Sequence, residues 1–429
     1  MWEKYAGYAL AFSIFFPILV FQAILKPVKL PFIGIGILLA ILIIAQQKTT
    51  RLHKYSLVLI GIYLLRGVYG TISGVVQEAP GVYIVIPLCI TYVVINFSFM
   101  VLVVKRKHFD WLIQILFFAT AAVIVLDISF ILNAFKIIPY LPILDLFQNS
   151  PTPFSIGINQ YKSLEFYSRN LGILPFTLPF FMALLFDRSI KKRIKFLNTT
   201  TLVFLLLLMI ALMLLSGRRI FILIMLITPV LLFLFSRKLR GDVKSRVNYG
   251  LLFFMTITII ASSVLFSYTA IEYGLSFENL TDSFLAAFDS NKETVRSEQS
   301  SALMESWRKA PIFGHGNGAI VDGYWRDQES PWRFEMGYHL SLHRLGLLGF
   351  SLEALYYLGI IVLGVRIIKR DNDIVMIGLL SGFLSFLLAH ATNPFLNSYE
   401  FLWPIILPLF YINMKLLNTK NEYKQTDAL

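Results

Sequence analysis

The strongest constraint on this chain is a series of apolar stretches that recurs along all 429 residues. A stretch of about 20 apolar residues is long enough to cross the hydrocarbon core as a helix. Twelve such stretches can be marked, at roughly 5–25, 30–46, 55–76, 81–104, 110–135, 171–186, 200–215, 220–236, 248–270, 345–367, 374–392 and 400–416. Only 15% of the residues are charged, against about 25% in soluble domains. The expected fold is therefore an all-α polytopic membrane protein. The first stretch, from Tyr5, has no small-residue cleavage site behind a short core, so it reads as a retained helix and not a signal peptide. The single cysteine, Cys89, rules out an internal disulfide framework and argues against a thiolate metal site.

Orientation follows from the basic residues. With both termini placed in the cytoplasm, 23 of the 38 Lys and Arg fall on inner segments and 7 on the outer segments other than the largest loop, 272–344. That bias is the positive-inside pattern. It also accounts for most of the net charge of +13. The basic residues are spread over many turns and not gathered on one module, which argues against nucleic acid as a partner.

Two outer loops are long, at about 136–170 and 272–344. The chain thus divides into spans one to nine over 1–270, a large outer loop over 271–344, and three spans with a tail over 345–429. The second loop is too rich in Trp, Phe, Tyr and Leu to be disordered. Within it, the stretch ending at Lys309 suits a short helix with Leu303 and Trp307 on one face. Pro311 stops that helix, and Gly314, Gly316 and Gly318 make a tight turn behind it. The expectation is an ordered, partly helical cap lying on the membrane.

Several charges break the apolar pattern. "LMLLSGRRIFIL" puts Arg218 and Arg219 at the outer surface, against the positive-inside trend. A cation at mid-membrane costs about 2.5–3.5 kcal/mol, and less at the interface. These arginines either snorkel to lipid phosphates or bind an anionic head group with their paired donors. Arg66, Asp127 and Glu353 lie inside apolar stretches, where charges pair or face a cavity. Arg66 is expected to pair with an Asp or Glu. His390 reads as a polar residue at a helix end.

The segment "EMGYHLSLHRLG" spaces Glu335, His339 and His343 four residues apart, one face of a helix entering the tenth span. Three readings stay open: a zinc site, a solvated face, and an acid–base and anion-binding site. Two histidines at this spacing can chelate zinc, but the only carboxylate precedes both, which is not the zinc-peptidase order. Arg296, Arg308, Arg326, Arg333 and Arg344 lie in the same loop, with Arg218 and Arg219 on the same expected side. A carboxylate or neutral imidazole can take a hydroxyl proton while cations hold a leaving diphosphate.

Four stretches together resemble the O-antigen polymerase and O-antigen ligase superfamily of bacterial polysaccharide assembly. "SGRR" ahead of an apolar span is similar to the family's Ser/Arg hairpin. "ALMESWRKAPIFGHGNG" resembles its large-loop segment. "EMGYHLSLHRLGLLG" is similar to a motif ending in G-x-x-G, met by Gly346 and Gly349, and "TNPFLNSYEF" looks like a late signature. With the hydropathy pattern, the likeness covers nearly the whole chain. Ligases carry a His-Asn pair upstream of the glycines; here Glu335 and Met336 stand there, so the likeness leans towards the polymerases.

The resemblance implies a C-type glycosyltransferase fold in the bacterial inner membrane and a metal-independent reaction with no cofactor. It also implies an oligosaccharide carried on undecaprenyl pyrophosphate as substrate, membrane lipid as surroundings, and a chain-length regulator as a candidate further partner. Glu335 is the expected general base and His339 the next choice. Arg218, Arg219, Arg296, Arg308, His343 and Arg344 are the expected diphosphate and substrate contacts. Ligation of polymer to lipid A core is the nearest alternative. A flippase is less well matched, because its spans should be lined with charge.

Overall fold

The computed structural model describes residues 15–16, 31, 33–38, 41–42, 45, 52–103, 105–145, 154–158, 164–216, 218–239 and 294–426. The described chain is predominantly helical: α1 (Lys54–Val76), α2 (Val82–Leu102), α3 (Arg106–Ala134), α4 (Leu174–Leu184), α5 (Arg188–Arg193), α6 (Thr199–Leu215), α7 (Arg219–Ser236), α8 (Thr294–Lys309), α9 (Gly337–Asp371), α10 (Ile374–Thr392) and α11 (Trp403–Thr426). Five of them, α1, α2, α3, α9 and α10, are long and apolar enough to cross a membrane, the pattern of a multi-pass membrane protein. They coincide with five of the twelve expected spans. Three more expected spans form shorter apolar helices. The one at 171–186 becomes α4, whose 11 residues are all buried, so it serves as a core helix. The expected span at 400–416 forms the start of α11, where Asn413, Lys415 and Asn418 dilute the apolar run. The stretch at 248–270, all of 5–25 but residues 15–16, and part of 30–46 lie outside the described residues.

The described residues cluster into two compact units, each drawn from separate parts of the chain. The division expected from sequence was consecutive. The two units interleave because helix packing joins segments that are distant in sequence.

The first unit holds α3 to α7 and the first part of α10. Phe176, Phe180 and Phe181 of α4 are fully enclosed. Gly378 and Gly382 of α10 let that helix approach the backbone of Phe180 and Phe176, where a Cβ would lie 3.0 and 2.6 Å from their carbonyl oxygens. Small residues allow close packing of membrane helices, which gain little from the hydrophobic effect in lipid. The unit also contains an antiparallel hairpin, β1 (Ser155–Ile158) and β2 (Leu164–Tyr167), with Ser155 opposite Tyr167. Phe154 and Phe166 seat it on Phe130 of α3, with ring centroids 5.0 and 5.9 Å from the Phe130 ring.

The second unit holds α1, α2, α8, most of α9, the end of α10 and α11. Helices α1 and α9 run antiparallel: a Cβ on Gly359 would meet Leu59, one on Gly349 would meet Tyr69, and one on Gly70 would meet Leu345. Between these contacts Arg66 pairs with Glu353 at 2.8 Å, as expected, and Tyr357 donates to the other carboxylate oxygen at 2.7 Å. In α2, a π-helical turn over Pro87–Thr91 follows from proline's missing N–H. Gly67 of α1 packs against the Cys89 carbonyl of that turn.

Helix α9 is broken at Gly346, where φ is 60° and ψ is −169°. This backbone region is essentially restricted to glycine. The break leaves donors and acceptors without intrahelical partners, and the segment behind α8 supplies them. Leu347 and Leu348 donate to the carbonyls of Pro311 and Ile312, at 2.8 and 3.0 Å. In return, His315 and Gly316 donate to the carbonyls of His343 and Arg344, at 2.9 and 2.7 Å. The expected tight turn is present, with Gly314, Gly316 and Gly318 all at positive φ. At Gly316 a Cβ would lie 2.2 Å from the Gly74 nitrogen of α1.

Candidate functional site

The cap segment assembles on α8. Gln299, Leu303 and Ser306 form its buried stripe, and Leu303 joins Val321, Phe334 and Leu340 in a small core. Trp307 donates from its indole nitrogen to Pro311 at 3.1 Å and so sets the turn that ends the helix. Tyr324 bonds back to the Val295 carbonyl at 3.2 Å. These contacts fix both ends of the segment that carries the candidate residues.

Glu335 does not lie on a helix. The helix begins at Gly337, whose lack of a side chain lets the chain pass the His390 carbonyl. The expected four-residue stripe therefore holds only for His339 and His343. Glu335 instead sits in a bend just ahead of α9, where the Gln299 side chain accepts its N–H at 3.2 Å. Its carboxylate lies between two guanidiniums. Arg296 reaches one oxygen at 3.4 Å and Arg326 pairs with the other. All three side chains are partly exposed, at 28% for Glu335, 41% for Arg296 and 35% for Arg326. Burial pushes the Glu335 carboxyl up, but hydrogen bonds and charge from Arg326 and then Arg296 win and hold it below the usual carboxylate range. The site is thus a surface carboxylate already neutralised by two fork-shaped anion binders.

The other expected residues divide. His339, one turn into α9, is half-buried and partly open to solvent. His343 is fully enclosed, its ring 4.9 Å from that of His315 and 6.5 Å from Phe334. Arg344 is buried and turned inward to the Trp332 carbonyl at 2.6 Å. Both residues, expected as substrate contacts, are thus enclosed here, and their backbone carbonyls accept N–H groups of the glycine turn. Arg308 is exposed at the far end of α8, about 18 Å along the axis from Arg296. It takes no part in the Glu335 cluster, and its charge suits the helix C-terminus. His390 is a buried residue in the last turn of α10, packed edge-on to Tyr338.

Sequence reasoning placed Arg326 only among the nearby basic residues and missed Gln299 altogether. The signal for Gln299 was its place four residues before Leu303 on the buried face of α8.

In the first unit, Arg218 caps α7 and lies 4.4 Å from the centre of the Tyr167 ring. Strand β2 brings that tyrosine to it, a partner that hydropathy alone does not reveal. Arg219 opens the helix, and its side chain lies outside what the structure describes. Among the described residues, no three His, Cys, Asp or Glu side chains come together. Compared with models of known protein families and with curated proteins, the chain matches none.

Proposed function

We propose that the chain is a membrane-embedded glycosyltransferase that polymerises oligosaccharide repeat units carried on a polyprenyl diphosphate. The observation that carries the reading is Glu335 held between Arg296 and Arg326 on a partly exposed surface. Two guanidiniums fit the oxygens of a diphosphate in pairs. An arriving diphosphate competes with Glu335 for them. The carboxylate it displaces loses the charges that depress its basicity, so donor binding itself prepares the base.

In the step itself, an acceptor hydroxyl oxygen attacks the anomeric carbon of the donor sugar. The bond from that carbon to the diphosphate oxygen breaks, and the diphosphate leaves with the electron pair. The hydroxyl proton passes to Glu335. Arg296 and Arg326 stabilise the charge that grows on the leaving group. His339, in the first turn of α9 and partly open to solvent, is the second choice of base. Arg218 and Arg219 are assigned, within their own unit, to an anionic lipid head group. The twelve-span topology, both termini in the cytoplasm, an inner-membrane location and a periplasmic cap belong to the same proposal, supported by the 23-to-7 basic bias.

The test is in vitro polymerisation of lipid-linked repeat units, read as ladder length. Glu335→Gln should slow it by about 10²–10⁴-fold while donor binding is kept or tightened, because no carboxylate then competes for the arginines. The pH profile should separate two states. The acid limb of kcat/KM reports the free enzyme and should fall below the usual carboxylate range, while that of kcat should lie higher. Wild-type ladders from the Gln variant would remove Glu335 from catalysis. In a deletion strain, surface glycan cut to a single repeat supports the polymerase. Loss of both long and short glycan from lipid A would instead mean a ligase.

A further inference from the structure

The segment 310–321, "APIFGHGNGAIV", carries no Asp, Glu, Lys or Arg. Its exposed residues include Pro311, Ile312 and Phe313, all apolar, with Ile312 at 55% and Phe313 at 61%. Its two polar side chains turn inward. The His315 ring bonds the Ser306 carbonyl at 2.8 Å, and Asn317 reaches Thr71 at 3.5 Å.

The carbonyls of residues 311–314 and the N–H groups of residues 314–317 all bond to protein. Besides the four bonds exchanged across the Gly346 break, Asn317 donates to the Gly70 carbonyl at 2.8 Å, and Gly81 donates to Gly318 at 3.0 Å. The Tyr69 hydroxyl donates to Phe313 at 2.7 Å, and the Gln77 amide to Gly314 at 3.2 Å. A loop in water needs no such provision. Irregular backbone at membrane depth requires it.

Position agrees with this. The contact at Gly70 lies about 9 Å inside the end of α1, measured along the helix axis. The exposed side chains of the segment continue apolar surfaces of helices long enough to cross a membrane: Leu347, Leu348, Leu355 and Leu358 on α9, and Val68 and Ile72 on α1. We propose that segment 310–321 is a re-entrant element embedded in the bilayer edge, with Ile312 and Phe313 in contact with lipid acyl chains. This differs from a cap resting on the surface, and it does not depend on the proposed reaction.

The full chain, with Cys89→Ser, is reconstituted in phosphatidylethanolamine–phosphatidylglycerol vesicles. A nitroxide is attached in turn to Ile312→Cys, Phe313→Cys, Leu347→Cys and Leu348→Cys. Leu358→Cys on α9 serves as the lipid reference and Gln328→Cys as the water reference. Collision rates with oxygen and with a water-soluble nickel chelate are compared. At Ile312 and Phe313 the oxygen-to-nickel ratio should match Leu358 and exceed that at Gln328 several-fold. A ratio like that of Gln328 would overturn the proposal. So would protection from both reagents, which would mean that protein covers this face. Because Leu347 and Leu348 lie beside the segment, their labels give the same reading if a substitution within the segment disturbs folding.

Discussion

Arg66 and Glu353 show how a charge survives inside an apolar helix pair. Glu353 is almost wholly enclosed, and its two oxygens accept from Arg66 and Tyr357. Removing one member of such a pair strands a buried charge and costs about 3–5 kcal/mol, whereas replacing both with apolar groups is often neutral. Arg66→Leu and Glu353→Leu should each lower the apparent melting temperature in nanodiscs sharply, and the double variant should recover most of the loss. Additive losses would mean that the two side chains stabilise the helices independently. The pairing was legible in sequence because two charges stood in otherwise apolar stretches. Glu335 was less legible. Its spacing from His339 and His343 suggested one helical face, yet Gly337 starts the helix and leaves Glu335 free to turn towards Arg296, 39 residues earlier.

At the scale of elements, hydropathy located α1, α2, α3, α9 and α10 to within a few residues at most ends. The start of α9 was the exception. It precedes the expected span by eight residues, because the apolar run begins only after the polar first turns. The Gly346 break is not legible in sequence, since a swap of hydrogen bonds between 311–316 and 343–348 leaves no trace there beyond its glycines. The hairpin over 155–167 was missed for a related reason: two four-residue strands give too short an alternation to stand out. The break makes its own prediction. In Gly346→Ala a Cβ would sit 2.3 Å from the Ile312 carbonyl oxygen, in a backbone region that costs other residues about 1–3 kcal/mol. Amides of Leu347 and Leu348 should then exchange faster with deuterium, as the turn lifts from the helix. Gly61→Ala is the control, because nothing lies within 4 Å of its Cβ position. Equal exchange in both variants would show that the break does not depend on glycine.

For the whole molecule, the sequence and the structure speak to different properties. Periodicity and hydropathy indicate how many segments can cross a membrane; the distribution of Lys and Arg indicates which way they face. The coordinates add how the segments pack, and neither unit is continuous in sequence. Orientation therefore rests on charge, and it fixes which compartment the Glu335 cluster meets. Ser330 lies in the same loop, between Arg326 and Glu335, on the side assigned to the periplasm. In a Cys89→Ser background, Ser330→Cys should react with a membrane-impermeant maleimide in intact spheroplasts. A cysteine at Lys191, in the basic run "DRSIKKRIK" assigned to the cytoplasm, should react only after lysis. The reverse pattern would invert the topology. It would also place the carboxylate and its two arginines on the cytoplasmic face, where a polymerase of exported repeat units has no substrate.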